Sequence, residues 1–298
     1  MYSLFSSPSH TSTGWRATQR TQLGGAARPH KNNVWWKSAQ VGLLITRNTL
    51  ISALEKKQIQ AWLQPKIALD SQQLVGMEAL ARWSHPEWGV LTPNAFLPWF
   101  SSYGLDEMLL MYMLEEALAF QTYWREQGVV IPVAVNLPTY LLDDSTLPQR
   151  LGQFVEAKKG RHSDISFELL ETSDTATTHA LLTGVRSLAA LGFGVALDDF
   201  GVDYGSRQRL LLAPFSELKL DRSLVQGVAE QPERAERVRA VIRTSKQRGV
   251  KVTAEGVETQ AELAFLQQAG CDYAQGYRFA KPLHAAALET WIREHGVV

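Results

Sequence analysis

The chain has 298 residues, balances 30 Lys and Arg against 30 Asp and Glu, and is 45% hydrophobic, the composition of a soluble globular protein long enough to bury a core unaided. Its single cysteine, Cys271, excludes an internal disulfide and a cysteine-built zinc site, and the seven histidines form no HxH or HExxH pair. No apolar run approaches 18 residues, so a transmembrane helix is not expected and the reading is a cytoplasmic protein.

In chain order, the neutral total divides first. Arg16, Arg20, Arg28, Lys31, Lys37 and Arg47 all precede the first acidic residue, Glu55, so residues 1–54 carry +6 and the remainder −6. The stretch 3–33 is rich in Ser, Thr, Gly and Asn and lacks apolar periodicity. Residues 1–50 therefore read as a flexible basic segment. Such a segment could touch nucleic acid or an acidic membrane, but a solvated leader fits its composition better, and no stable DNA or membrane binding is expected. No apolar core follows its first charges, which disfavours a secretory signal. Residues 51–298 read as one domain.

Strand candidates follow at Ala61–Leu69, Leu74–Trp83, Val129–Leu137, Ile165–Glu171, Phe193–Asp199, Glu217–Asp221, Val250–Glu255 and Ala274–Phe279. Helical spacing marks Asp106–Gln127, Leu181–Leu191, Ala235–Gln247 and Thr259–Ala269, with Pro98, Pro148 and Pro214 outside them. Strands alternating with helices over this length predict an α/β fold, a (β/α)8 TIM-like barrel. The turn between Leu69 and Leu74 is too short for a crossover helix, so the first strand should run antiparallel to the second.

Polar residues interrupt the apolar runs at one end of this barrel. They are Glu78, Asn136, Glu168, Asp198, Asp199, Lys219, Glu255 and Gln275. Five carboxylates against one lysine cannot neutralise one another, and burying them requires cations. An all-oxygen ligand set suits Mg2+ or Mn2+, and the adjacent Asp198 and Asp199 are placed to bridge two ions. Two such ions are the apparatus of in-line phosphoryl displacement, so the residues point to hydrolysis of a phosphate ester.

These residues lie in motifs that identify a resemblance. Gln64–Pro65, GMEALARW with Glu78-Ala79-Leu80, VNL with Asn136, ELLE from Glu168 to Glu171, DDFG from Asp198 to Gly201, KLD from Lys219, AEGVE from Glu255 and QGYRFAKP from Gln275 occur in order. The chain resembles the EAL-domain family of bacterial cyclic di-GMP phosphodiesterases over about residues 58–292. The resemblance implies the barrel with its antiparallel first strand and hydrolysis of cyclic di-GMP to linear pGpG with two Mg2+ or Mn2+ ions. It implies Glu78, Asn136, Glu168 and Asp198 around one metal, and Asp198 with Asp199 around the second. Glu255 and Lys219 would position and deprotonate the metal-bound water. Gln275 would help hold the site, Gln64, Leu80 and Arg82 would contact substrate, and Glu171 would anchor the loop after DDFG. A homodimer through residues 207–215, and biofilm or motility as the process controlled, are implied likewise.

Two departures stand out. The loop after DDFG reads Val202-Asp203-Tyr204-Gly205-Ser206 where the family usually has Thr-Gly-Tyr-Ser-Ser, and Leu170 replaces a usual threonine. The alternative reading is therefore a cyclic di-GMP receptor that does not cleave. A domain using only its outer helices for protein contacts has no positive support. His85 reads as a turn residue, and Trp83, Trp88, Trp99 and Trp124 read as packing residues.

Overall fold

Residues 45–170, 178–200 and 212–295 are described by the computed structural model. Thr46 opens helix α1 (Arg47–Glu55) by accepting a hydrogen bond from the Thr49 amide, a standard N-terminal cap. Strands β1 (Ile59–Ala68) and β2 (Leu74–His85) follow as an antiparallel pair in register from Ile59↔Trp83 to Gln64↔Glu78 and beyond. The short strand β3 (Gly89–Leu91) folds back onto β2 outside the barrel. Helices α2 (Pro93–Ser102) and α3 (Asp106–Glu126) then lead to β4 (Val133–Asn136). The chain continues through α4 (Leu147–Ala157), β5 (Ile165–Leu170), α5 (Thr178–Ala190) and β6 (Gly194–Phe200). After β7 (Glu217–Leu220) come the one-turn α6 (Arg222–Val225), α7 (Pro232–Gln247), β8 (Lys251–Ala254), α8 (Gln260–Ala269), β9 (Tyr273–Ala274) and α9 (Ala285–Glu294).

Strands β2, β4, β5, β6, β7, β8 and β9 are successively parallel, and β1 closes the ring by pairing antiparallel with both β2 and β9. This is the expected barrel with one reversed stave, its direction fixed by the short turn at 69–74. The apolar core lies between strands and helices: Phe167, Leu169, Val195, Leu197, Leu218, Leu220 and Val252 are buried on the outward strand face. Strand alternation leaves the barrel interior to polar residues, which form two layers. At one end Lys66 holds Glu217 at 2.7 Å, and Thr253 donates to the same carboxylate at 2.6 Å. At the carboxyl ends of the parallel strands sits the acidic cluster described below.

Several expected boundaries are corrected. The strand expected from Val129 begins at Val133, and the one expected to reach Phe279 stops at Ala274. There the chain turns, with Phe279 and Ala280 both donating amides to the Gly276 carbonyl. Helices α2, α4 and α9 carried no recognised periodicity. Pro98 lies inside α2, where the burial of Phe96 and Phe100 offsets its missing amide, and Pro148 occupies the first turn of α4, where no amide is needed.

Candidate active site

The site is built around Lys219 on β7, 1% exposed. Its Nζ lies 2.6 Å from Glu255, 2.7 Å from Glu168, 3.3 Å from Asp198 and 3.4 Å from Glu78. Each acid arrives from a different strand: Glu78 from β2, Glu168 from β5, Asp198 from β6, and Glu255 from the residue after β8. Asn136, at the end of β4, donates its amide to Glu78 at 3.4 Å. Gln275, just past β9, donates to Glu78 at 2.6 Å and to Gln64 at 3.0 Å, while Gln64 donates to the Ala280 carbonyl.

Neighbouring residues of a regular strand point to opposite faces, so Asp198 and Asp199 should not converge. They do, because β6 is irregular there. Its register with β7 shifts between Leu197 and Phe200, and Asp199 adopts a left-handed backbone with φ of 54°. Such a conformation is uncommon outside glycine, though aspartate tolerates it better than most, and bulges of this kind re-aim side chains beside active sites. The result is a group of carboxylate oxygens from Asp198, Asp199 and Glu255 within 4.8 Å of one another.

The electrostatics follow from burial. Burial opposes the Lys219 ammonium, but Glu168, Glu255, Glu78 and Asp198 outweigh it and hold the amine charged well above its ordinary range. Burial raises the Glu168 carboxyl well above its usual range, with Glu78 adding repulsion and Lys219 opposing. Asp198 is raised by burial against the pull of Lys219, and Asp199 is pushed up to about 6 by burial and the Asp198 charge. Glu255 is pushed up to about 8, burial again exceeding the effect of Lys219. Glu78 is the exception: burial raises it, but Lys219 and the hydrogen bonds from Gln275 and Asn136 bring it below its ordinary value. The cluster thus carries more carboxylate than its one ammonium can balance, and it has the oxygen chemistry and spacing of a divalent-cation site.

The expected site residues Glu78, Asn136, Glu168, Asp198, Lys219, Glu255 and Gln275 meet in one hydrogen-bonded and ion-paired network, which Gln64 joins through Gln275. Arg82 lies further toward the mouth, partly buried, within the electrostatic reach of Glu78 and Tyr277, with Nη1 donating to the Ala81 carbonyl. Leu80 is paired opposite Trp62 on the barrel wall. Glu171, Val202, Asp203 and residues 207–211 lie outside the described residues. Trp83 packs, fully buried, against Phe96, and Trp88 stacks on His85 with centroids 3.8 Å apart.

A family model of the EAL domain matches residues 47–282, most of the chain. The chain belongs to the EAL domain family. This EAL domain is 34% identical over 234 residues to the cyclic di-GMP phosphodiesterase RocR of Pseudomonas aeruginosa, covering 78% of this chain and 60% of RocR. It is 33% identical over 246 residues to the cyclic di-GMP phosphodiesterase PdeR of Escherichia coli K12, covering 83% of this chain and 37% of PdeR. It therefore spans less than two thirds of the length of these curated relatives. Among solved structures, a complex of the PaMucR phosphodiesterase with c-di-GMP superposes with a TM-score of 0.76 at 32% identity, covering 81% of this chain and 98% of that one.

Proposed function

We propose that this EAL domain hydrolyses one 3′–5′ phosphodiester of cyclic di-GMP to linear pGpG. The observation that carries the reading is the convergence of Glu78, Glu168, Asp198 and Glu255 on Lys219, with Asp199 turned into the same space by the bulge in β6. The residues fit two Mg2+ or Mn2+ ions, one held by Glu78, Asn136, Glu168 and Asp198 and the second by Asp198 and Asp199. Bound there, the ions would neutralise the carboxylates and stabilise charge on the attacking and leaving oxygens.

The protein's own groups divide the remaining work. Lys219 stays an ammonium, so it holds Glu255, Glu168 and Asp198 in place and cannot serve as the base. Glu255 is the proton acceptor for the attacking water, its basicity raised by burial toward the range in which general bases operate. Gln275 and Asn136 fix Glu78. Arg82 offers a planar pair of donors suited to a phosphate, and Gln64 and Leu80 line the substrate wall. A cytoplasmic homodimer joined through residues 207–215 completes the proposal.

The test is incubation of the purified chain with cyclic di-GMP and Mg2+ or Mn2+, with chromatography of the nucleotides and Glu78→Ala alongside. Metal-dependent pGpG from the wild type alone is the expected result. Intact cyclic di-GMP with either ion overturns the reading, and measurable binding in that case would identify a receptor.

A further inference from the structure

The pairing of β1 with β2 sets Gln64 opposite Glu78, Trp62 opposite Leu80 and Gln60 opposite Arg82. Directly opposed residues share one face of the sheet, and every second residue returns to that face. Gln64 is tied to Gln275 inside the barrel, so Trp62 and Gln60 also face the interior, one and two rungs nearer the mouth. Their neighbours Ile59 and Leu63 are buried on the opposite, helix-facing side. Trp62 is only partly buried, on the face of β1 that it shares with Leu80 and Gln64. It packs T-shaped with His284, centroids 6.0 Å apart at 72°.

The indole N–H of Trp62 is buried without a hydrogen-bond partner, so what the side chain leaves accessible is apolar ring surface. Trp83, a true core ring, donates its N–H to Gln58 at 3.3 Å. Trp291 shares the unpaired N–H, but it lies on the buried face of α9 and is stacked on His295.

We infer that Trp62 is a base-stacking residue of the substrate mouth. The inference rests on the proposed reading that this mouth takes a cyclic dinucleotide. Two residues of strand rise place Trp62 about 7 Å above the Gln64–Glu78 rung. A ribose bridges that height between a phosphodiester held at the carboxylates and its purine. Leu80, on the same rung, widens the apolar platform, and Arg82 lies on the next rung. Stacking on an aromatic face is open to any base, so Trp62 adds affinity for the base without reading its identity.

The test compares Trp62→Leu and Trp62→Phe with wild type for KM and kcat in Mg2+. The same changes made in the non-cleaving Glu255→Gln background give the Kd for cyclic di-GMP. Loss of one base–aromatic stack should raise KM and Kd about tenfold in the leucine variant. The phenylalanine variant should recover most of this, with kcat moving less than KM throughout. Nucleotide should quench tryptophan emission in the wild type and do so less in Trp62→Phe, a readout that survives if the leucine variant fails to fold. Unchanged KM and Kd in a folded leucine variant, or quenching untouched by Trp62→Phe, overturns the assignment while leaving the phosphodiesterase reading intact. A wild type that neither binds nor cleaves cyclic di-GMP overturns both.

Discussion

Raising the pH of the metal-free protein should weaken its fold, and divalent cations should restore it. Burial carries the Glu255 carboxyl from an ordinary 4.5 to about 8, against the opposing pull of Lys219. A folded pKa above the unfolded one means that the native state binds more protons than the denatured chain within that window. Stability is then fully present below about pH 4.5 and lost as pH rises through about 8. At about 1.4 kcal/mol per pH unit, a shift of this size costs several kcal/mol across the window, shared between Glu255 and the carboxylates that titrate with it. Asp199, pushed to about 6, steepens its lower half. A loss of that size is comparable with the whole stability of many domains, roughly 5–15 kcal/mol. Cations bound at a hundred times their Kd should return about 2.7 kcal/mol. Urea denaturation followed by circular dichroism, from pH 5 to 9 in chelator and in Mg2+, measures both effects. Glu255→Gln should flatten the upper half of the chelator curve. Stability that is level or rising with pH in chelator, or indifferent to cations at pH 8.5, refutes the reasoning.

Three further outcomes are expected. With Mg2+ present, Glu255→Gln should lower kcat by about 100- to 10,000-fold while retaining substrate binding, and a loss under tenfold would assign the base elsewhere. Lys66→Met strands the buried Glu217 without its cation and should cost about 3–5 kcal/mol in urea denaturation, whereas an unchanged midpoint would show that Thr253 alone suffices. Gly276→Ala places a methyl 2.3 Å from the Val257 amide nitrogen and carbonyl oxygen, so it should lower the melting midpoint by an amount equivalent to about 1–3 kcal/mol or more. Because Gln275 is adjacent, activity should fall with it.

Much of this site was legible because buried polar residues announce themselves inside apolar strands. Glu168 between Phe167 and Leu169, and Lys219 between Leu218 and Leu220, follow the period-two pattern without ambiguity. The reversed β1 was legible for a different reason, a turn too short to permit any other direction. What escaped depended on contacts remote in sequence. The alternation of β1 is blurred by Pro65 and by the polar inner face of a barrel, so Trp62 carried no signal beyond lying two residues before Gln64. The pairing of Asp198 with Asp199 was expected, but the backbone irregularity that turns both inward is not encoded in composition. Helix α2 was hidden by Pro98, and α9 by a run of alanines whose partners Leu288, Trp291 and Ile292 reveal their common face only once buried.

In an ordinary barrel of this type every strand begins at the face remote from chemistry. Here β1 begins at the mouth, and α1 reaches it there, with the Ile45 carbonyl accepting from the Tyr103 hydroxyl at the end of α2. Helix α1 therefore delivers the chain to the catalytic rim, where β1 begins at Ile59. A shift of α1 has only residues 56–58 to cross before it reaches Gln60 and Trp62, so the reversed stave couples that helix directly to the mouth.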